Sequence, residues 1–482
     1  MNGQRTVDAG LGLGAAALVT ASGGVWLATR GTPPTLAMLS AVPVVLALGV
    51  IAARRPVLAP AAVVVLLVIG DVQLPYGIPL VRMLALAAVV VVVTARLGGR
   101  GRPIGRSPLL MAATLLVLTA LLSTFLSFHP ALSLRQDVGH VVSLLLAAAV
   151  VMATADRSDL LVLAIALCVG GAVLSTTAFT SLSTNVQAAT SDAALVVNRP
   201  VGVFTQPNQL GLVAAMTLCF STALVIVLRR QNRAWLAVLC GAAALLALAA
   251  LVVSLSRGAW IGSAVGLVVL AVLLREARTA LLCVATVATL GVTLVATTPT
   301  QPDTPLVAQR VLSIFGGKGN PYDERPAVRA EALVQMSERP VVGSGPGAFP
   351  VAAYQGPPHV AAARRHYHPH NLLLTVGAEQ GVVGMAALVG LIGTGAAVAL
   401  GNRRVRVTPA RGAPRPAPAD LTTRGVSAAS AAALAAVLGH GVVDNPLAHP
   451  VVGTMTWLCI GLLAACARSR SDPRPHPSGG GT

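Results

Sequence analysis

The chain has 482 residues, of which 55% are hydrophobic and only 10% charged, where a soluble domain carries about 25% charged residues. A mean hydropathy of +0.78 excludes a soluble globular domain and points to a polytopic membrane protein. The formal net charge of +18 is dealt out as arginines in short connections between apolar runs, which excludes a nucleic-acid surface and reads as topology.

A membrane span needs roughly 20 apolar residues. Fourteen spans are predicted in chain order: 9–29, 35–53, 56–71, 80–96, 108–127, 139–155, 159–176, 208–228, 234–254, 258–274, 279–297, 371–400, 426–443 and 450–467. The expected fold class is an all-α integral membrane protein of about 14 (12–14) transmembrane helices. The first run is long and further spans follow at once, so it reads as an uncleaved helix. With the N-terminus in the cytoplasm, the cytoplasmic connections hold roughly two-thirds of all Lys and Arg, as the positive-inside rule demands. Both termini are therefore expected to be cytoplasmic.

On the outer face, residues 177–207 form a Ser/Thr/Asn-rich connection and 298–370 the one large loop. Residues 401–425 read as a Pro/Arg-rich cytoplasmic linker, and 468–482 as a disordered cytoplasmic tail. The organisation expected is an N-terminal helical region over 1–200, a catalytic region over 201–400, and a C-terminal helical pair over 426–467. Within the large loop a helix is predicted to begin at Asn320 or Asp323 and end near Glu338, with Val328, Leu333 and Met336 as its apolar stripe. Gly343, Gly345, Pro346 and Gly347 form a turn-rich stretch after it. The six cysteines all fall in apolar runs and read as small core residues.

Polar groups are scarce, so the cluster His366-Tyr367-His368-Pro369-His370-Asn371 at the mouth of a predicted span is the first candidate site. Asn371 suits a helix N-cap, which sets His370 against the positive end of the helix dipole. That end disfavours imidazolium, and a neutral imidazole can act as a general base. Alternatively these are interfacial histidines capping a helix. The alternate spacing of the three histidines also admits a metal site, but no carboxylate or cysteine cluster stands nearby and no metal is expected.

Arg257, within Ser256-Arg257-Gly258, stands at the outer end of two spans, where an anionic partner would hold it; a snorkelling anchor is the plainer reading. Arg325 and Arg329 lie four apart and share a face of the loop helix, which a solvated charged face would also explain. Asn208 and Gln209 open a helix at the outer side, by ordinary capping or as a contact to sugar hydroxyls. Gly377, Gly381 and Gly384 read as a small-residue face for close helix packing.

Taken together these motifs resemble the O-antigen ligase and polymerase superfamily. The family's ligase signature is His, then Asn, Ser or Gln, nine residues, Gly, two residues and Gly, Thr or Tyr. His370-Asn371, Gly381 and Gly384 fit it. The run from Arg325 through Pro340-Val341-Val342-Gly343-Ser344-Gly345 is similar to the family's loop pattern, and Ser256-Arg257-Gly258 and Pro207-Asn208-Gln209-Leu210-Gly211 resemble further landmarks. The likeness covers about residues 200–400. Arg329 stands where many members carry Trp, and fourteen spans exceed the family's usual twelve.

The resemblance implies a GT-C-like glycosyltransferase that moves a glycan from an undecaprenyl-diphosphate carrier to an acceptor hydroxyl at the outer face of the cytoplasmic membrane, inverting and without metal or cofactor. The acceptor would be a glycan, a lipid or a protein. It implies that Arg257, Arg325 and Arg329 hold the diphosphate and that His370 orients or deprotonates the acceptor. Asn371, His368, Asn208 and Gln209 would contact substrate or support the site. A polymerase of the same superfamily is the alternative. A lipid or glycan transporter is the rival from another class, opposed by the near absence of charge inside the spans, where Glu379 and His440 are the main exceptions.

Overall fold

The computed structural model describes residues 54–70, 72–74, 78–181, 199–275, 324–355, 366–403 and 418–468. The predicted spans at 9–29, 35–53 and 279–297 lie outside the described residues, as do Asn320, Asp323, Cys283 and residues 298–323 and 356–365 of the large loop. Thirteen α-helices follow one another among the described residues: α1 (Leu58–Leu66), α2 (Leu80–Leu97), α3 (Pro108–Phe125), α4 (Pro130–Ala153), α5 (Arg157–Thr180), α6 (Pro207–Arg230), α7 (Ala234–Val253), α8 (Arg257–Leu274), α9 (Arg325–Glu338), α10 (Phe349–Gln355), α11 (Leu372–Arg403), α12 (Pro418–Gly441) and α13 (Pro450–Arg468). A two-residue antiparallel pairing, Gln73–Leu74 with Ile78–Pro79, bridges α1 and α2.

Ten of these helices, α2 to α8 and α11 to α13, are long and apolar enough to cross a membrane. A helix satisfies its own backbone and is the natural spanning element in hydrocarbon. The sequence supplies the starts. Ser107, Asp156, Ser256 and Asn371 cap α3, α5, α8 and α11 through side-chain oxygens, and Pro stands in the first turn of α3, α4 and α6. The third predicted span is shorter than expected: α1 continues only as a 3-10 turn over Leu67–Ile69. Helix α4 starts at Pro130 rather than 139, because two of the polar residues that masked its start, Ser133 and Asp137, are buried within the bundle, Asp137 accepting from Thr124. Helix α12 starts at Pro418, inside the predicted linker, where Thr422 and Ser427 bond Gln231 and Asn402.

The bundle is layered by burial. Helices α5, α6 and α13 are 89% buried over their spans and form its centre, while α2 and α11 stand on the rim at 33% and 28%. Close packing of small residues falls on α8 and α12: a Cβ at Gly262 would lie 2.4 Å from the carbonyl oxygen of Ala436, and one at Gly266 2.7 Å from that of Ala432.

Gly381 has a different job from the one its spacing suggests. Its φ of 64° and ψ of −163° break α11, and the loop over residues 340–347 fills the break. Val382 N–H donates to Pro340 C=O (2.8 Å), Ser344 N–H to Ala378 C=O (2.9 Å) and Gly345 N–H to Glu379 C=O (2.9 Å). Backbone groups freed by the break are thus re-satisfied inside protein, as a membrane requires. A Cβ on Gly381 or Gly343 would lie 2.3 Å from facing backbone. The stretch beyond the break, 382–403, rises about 33 Å, enough by itself to cross the hydrocarbon core.

Helix α9 lies on this break. Val328 and Ala332 pack with Phe349, Ala353 and Ala378, flanked by Met336 and Leu374. The predicted stripe is corrected at one position: Leu333 is exposed, and Ala332 and Gln335 take the inner face. The connections over 126–129, 199–206, 254–256, 339–347, 366–371 and 442–449 meet at one end of the bundle. Phe128 N–H donates to Ser344 C=O, Arg339 to Leu126 C=O, Arg199 to Ser254 C=O and Asn371 to Val442 C=O.

Candidate functional site

His370 occupies the mouth of α11 with φ of 50°, a left-handed conformation that costs a non-glycine residue energy and persists only when its surroundings enforce it. They do so here. Its N–H donates to His368 Nδ1 (3.3 Å), its C=O accepts from Arg329 Nη2 (3.2 Å), and the next residue, Asn371, caps α11 through Leu374 N–H (3.0 Å). Asn371 Nδ2 also donates to Val442 C=O (2.9 Å), which ties the mouth of α11 to the turn after α12.

That turn carries Asp444, a residue that sequence reasoning missed. Its Oδ1 lies 3.2 Å from His370 Nδ1 and accepts from the Asn445 N–H (2.9 Å), while its Oδ2 accepts from Asn208 Nδ2 (3.2 Å). His440 and His368 approach it at 3.7 and 3.9 Å. Burial pushes the Asp444 carboxyl up, but the hydrogen bond from His370 and the nearby imidazoles of His440 and His368 outweigh it and hold the group well below the usual carboxylate range. An ionised Asp444 accepts a proton-bearing Nδ1 from His370 and leaves Nε2 as the lone-pair nitrogen. Nε2 faces His366 Nδ1 at 3.1 Å, and His366 Nε2 meets Glu324 Oε2 at 2.8 Å. The three histidines therefore gather around one ring rather than line one face of a strand: the rings of His366 and His368 lie 5.1 and 4.7 Å from that of His370.

Arg199 is a second residue that the sequence did not single out. Its guanidinium donates to Ser254 C=O through Nε (3.0 Å) and Nη2 (2.8 Å) and to Asn208 Oδ1 (3.2 Å). It thereby links the end of α7 to the carboxylate that holds His370. Arg257 begins α8 just beyond, behind the cap made by Ser256. Gly258 lets this helix start close on the site: a Cβ there would lie 2.9 Å from His440 Nδ1 and 2.5 Å from Val443 Cγ2. Arg325 begins α9 one turn before Arg329 and next to Glu324, the partner of His366. Gln209 turns the other way and donates to His449 Nδ1 at 2.6 Å.

One nitrogen each from His368 and His370 and one oxygen from Asp444 lie within 4.8 Å of one another, the set among the described residues that could hold a cation. The carboxylate that the sequence lacked nearby comes from 74 residues further along the chain.

Burial pushes His368 and His449 down to about 4, against the pull of Asp444. Both are then neutral in the folded protein at pH 7. In the unfolded chain they take protons near 6.5, so the unfolded state binds more protons between about 6.5 and 4. Stability should hold steady above this window and fall as pH drops through it. Thermal unfolding across that range measures the slope, and His449→Asn should flatten it.

Residues 242–389 match the family model for O-antigen ligase. The match spans Arg257, Arg325, Arg329, His370, Asn371 and Gly381, and leaves Arg199, Asn208 and Asp444 outside it. No curated protein matches the chain.

Proposed function

From a chain that is a member of the O-antigen ligase and polymerase superfamily through residues 242–389, we propose a glycosyltransferase that moves a glycan from an undecaprenyl-diphosphate carrier to an acceptor hydroxyl at the outer face of the cytoplasmic membrane. The observation that carries this reading is the His370 ring, held by Asp444 at the end of the bundle where Arg257 and Arg325 begin their helices. In this reading the acceptor hydroxyl replaces His366 at His370 Nε2 and gives up its proton there. Its oxygen attacks the anomeric carbon of the donor sugar, the bond from that carbon to the diphosphate oxygen breaks, and the electron pair leaves with the lipid diphosphate. Asp444 stabilises the imidazolium that forms. Arg257, Arg325 and Arg329 offer the guanidinium forks that bind phosphate oxygens as charge grows on the leaving group. Attack opposite that group inverts the anomeric centre.

A cavity of ≈ 420 Å³ beside the site supports a lipid-linked donor. It runs between α3, α8, α11, α12 and α13, is almost wholly apolar, and reaches the site end at Leu372 and Leu447. An isoprenoid chain is the kind of group such a lining accepts.

The test is transfer by the purified protein in lipid nanodiscs, from a synthetic undecaprenyl-diphosphate glycan to a panel of glycan and lipid acceptors, with and without chelator. Product formed equally in both arms is the result expected. Product lost with chelator would assign His368, His370 and Asp444 to a cation and overturn the metal-free step; no product with any acceptor would overturn the reading. In the same assay Arg257→Ala should lose about 10²-fold or more in kcat/KM, and Arg257→Lys should fall between it and wild type, since lysine keeps the charge but loses the fork.

A further inference from the structure

A second cavity, of ≈ 80 Å³, lies against Asn445 and His449, bounded by α2, α3, α4, α11, α13 and the turn before α13. Its wall is more polar than that of the first cavity. Arg82, Gln136, Thr375, Glu379, Asn445 and Thr454 all reach it. Arg82 extends across α4, so that a Cβ at Gly139 would lie 2.5 Å from its Cζ. The Glu379 carboxyl accepts from the backbone N–H groups of Gly347 and Phe349. Asn445 is 7% exposed, and its Oδ1 is buried without a hydrogen-bond partner. A buried amide oxygen left bare is costly, and one that lines a polar cavity marks where a donor from a ligand would sit.

The lining selects the ligand's chemistry. A guanidinium on the wall opposes a cation, and a carboxyl on the wall opposes an anion. Amides and hydroxyls that both donate and accept suit a neutral polyol. Leu372, Leu447 and Trp457 add the apolar surface on which the face of a sugar ring packs. None of Arg257, Arg325 and Arg329 lines this cavity, so it stands apart from the groups assigned to the diphosphate. It joins the site through His449, whose ring is 6.4 Å from that of His368, and through Asn445, the neighbour of Asp444.

We infer that this chamber binds a terminal sugar ring of the acceptor, a neutral hydroxyl-rich group, and so makes the acceptor a glycan or glycolipid. The inference rests on the transferase reading for the word acceptor but not for the binding of sugar. Two measurements separate them. The first is saturation-transfer NMR on the full chain in nanodiscs prepared free of glycoside detergent, with methyl glycosides of glucose, galactose, mannose and N-acetylglucosamine as probes. At least one probe should bind to wild type and to His370→Ala, and binding should be lost in Thr454→Phe, which fills the chamber, and in Asn445→Leu, which keeps its volume. The second is the acceptor KM, expected to rise about tenfold or more in Asn445→Leu and Gln136→Leu, the scale of a lost buried hydrogen bond, while the donor KM stays at the wild-type value. Thermal unfolding identifies any variant that fails to fold. Binding that the chamber variants abolish, in a protein that transfers nothing, sinks the transferase reading and keeps the sugar site. Transfer by variants with unchanged acceptor KM, or with only the donor KM raised, overturns the inference, as does the absence of binding by every probe.

Discussion

His370→Ala is expected to lower the transfer rate on the order of 10²–10⁴-fold, the contribution of a positioned general base, while membrane levels stay normal. Asp444→Asn should approach the same loss. The carboxylate accepts from His370 Nδ1 at 3.2 Å, and an amide there can present its NH₂ instead, turning the ring's proton to Nε2 where the acceptor must give one up. The two residues act as one unit, so the double variant should be little worse than His370→Ala alone. Rates that multiply across the cycle would separate Asp444 from the base. An active His370→Ala protein would end the assignment of the base itself.

Gly381→Val is the second large effect, and it acts through the backbone. The φ and ψ of this residue lie in a region open essentially to glycine alone, a cost of about 1–3 kcal/mol for any other residue. The Cβ would also lie 2.3 Å from Val341 C=O and 2.4 Å from its carbon, neither of which is a side chain that can swing away. The expected result is a protein that inserts in the membrane but loses the seat of the 340–347 loop. Activity falls with it, and the loop becomes open to added protease. Gly390→Ala, further along α11, is the control, because a Cβ there would meet no atom within 4 Å. A Gly381→Val protein with wild-type activity and a protected loop would show that the break is not needed.

Much of the site was legible because its parts are polar residues in a chain that has few. His370 and Asn371 could be picked out as a polar cluster at a span mouth, Arg257 as an arginine at the edge of hydrocarbon, and Arg325 and Arg329 as a pair on one face of the loop helix. Asp444 was not, though it is as polar as any of them. It follows a span end in a short Asp-Asn-Pro turn, where an acidic residue looks like solvated turn chemistry, and nothing local says that His370 is its partner. Its one hint was His440, four residues earlier, a rare ionisable group within a predicted span. Arg199 was equally hidden, placed in a polar connection where an arginine draws no notice.

Gly381 shows the same limit from the other side. Its spacing from Gly377 and Gly384 fits both a helix-packing face and a break, since in each case the side chain is absent because something comes close. What comes close is the backbone of residues 340–347, and no periodicity within α11 encodes that.

By itself the sequence determined the membrane-spanning character of the chain, the positions of most helices and the residue types available for chemistry, because hydropathy, capping and charge act over a few turns of chain. The tertiary structure alone decided that Asp444 meets both His370 and Asn208, that a loop enters the break in α11, and that a more polar chamber stands beside an apolar one. Those outcomes depend on which helix ends lie side by side, and side-by-side placement is set by packing between segments tens to hundreds of residues apart.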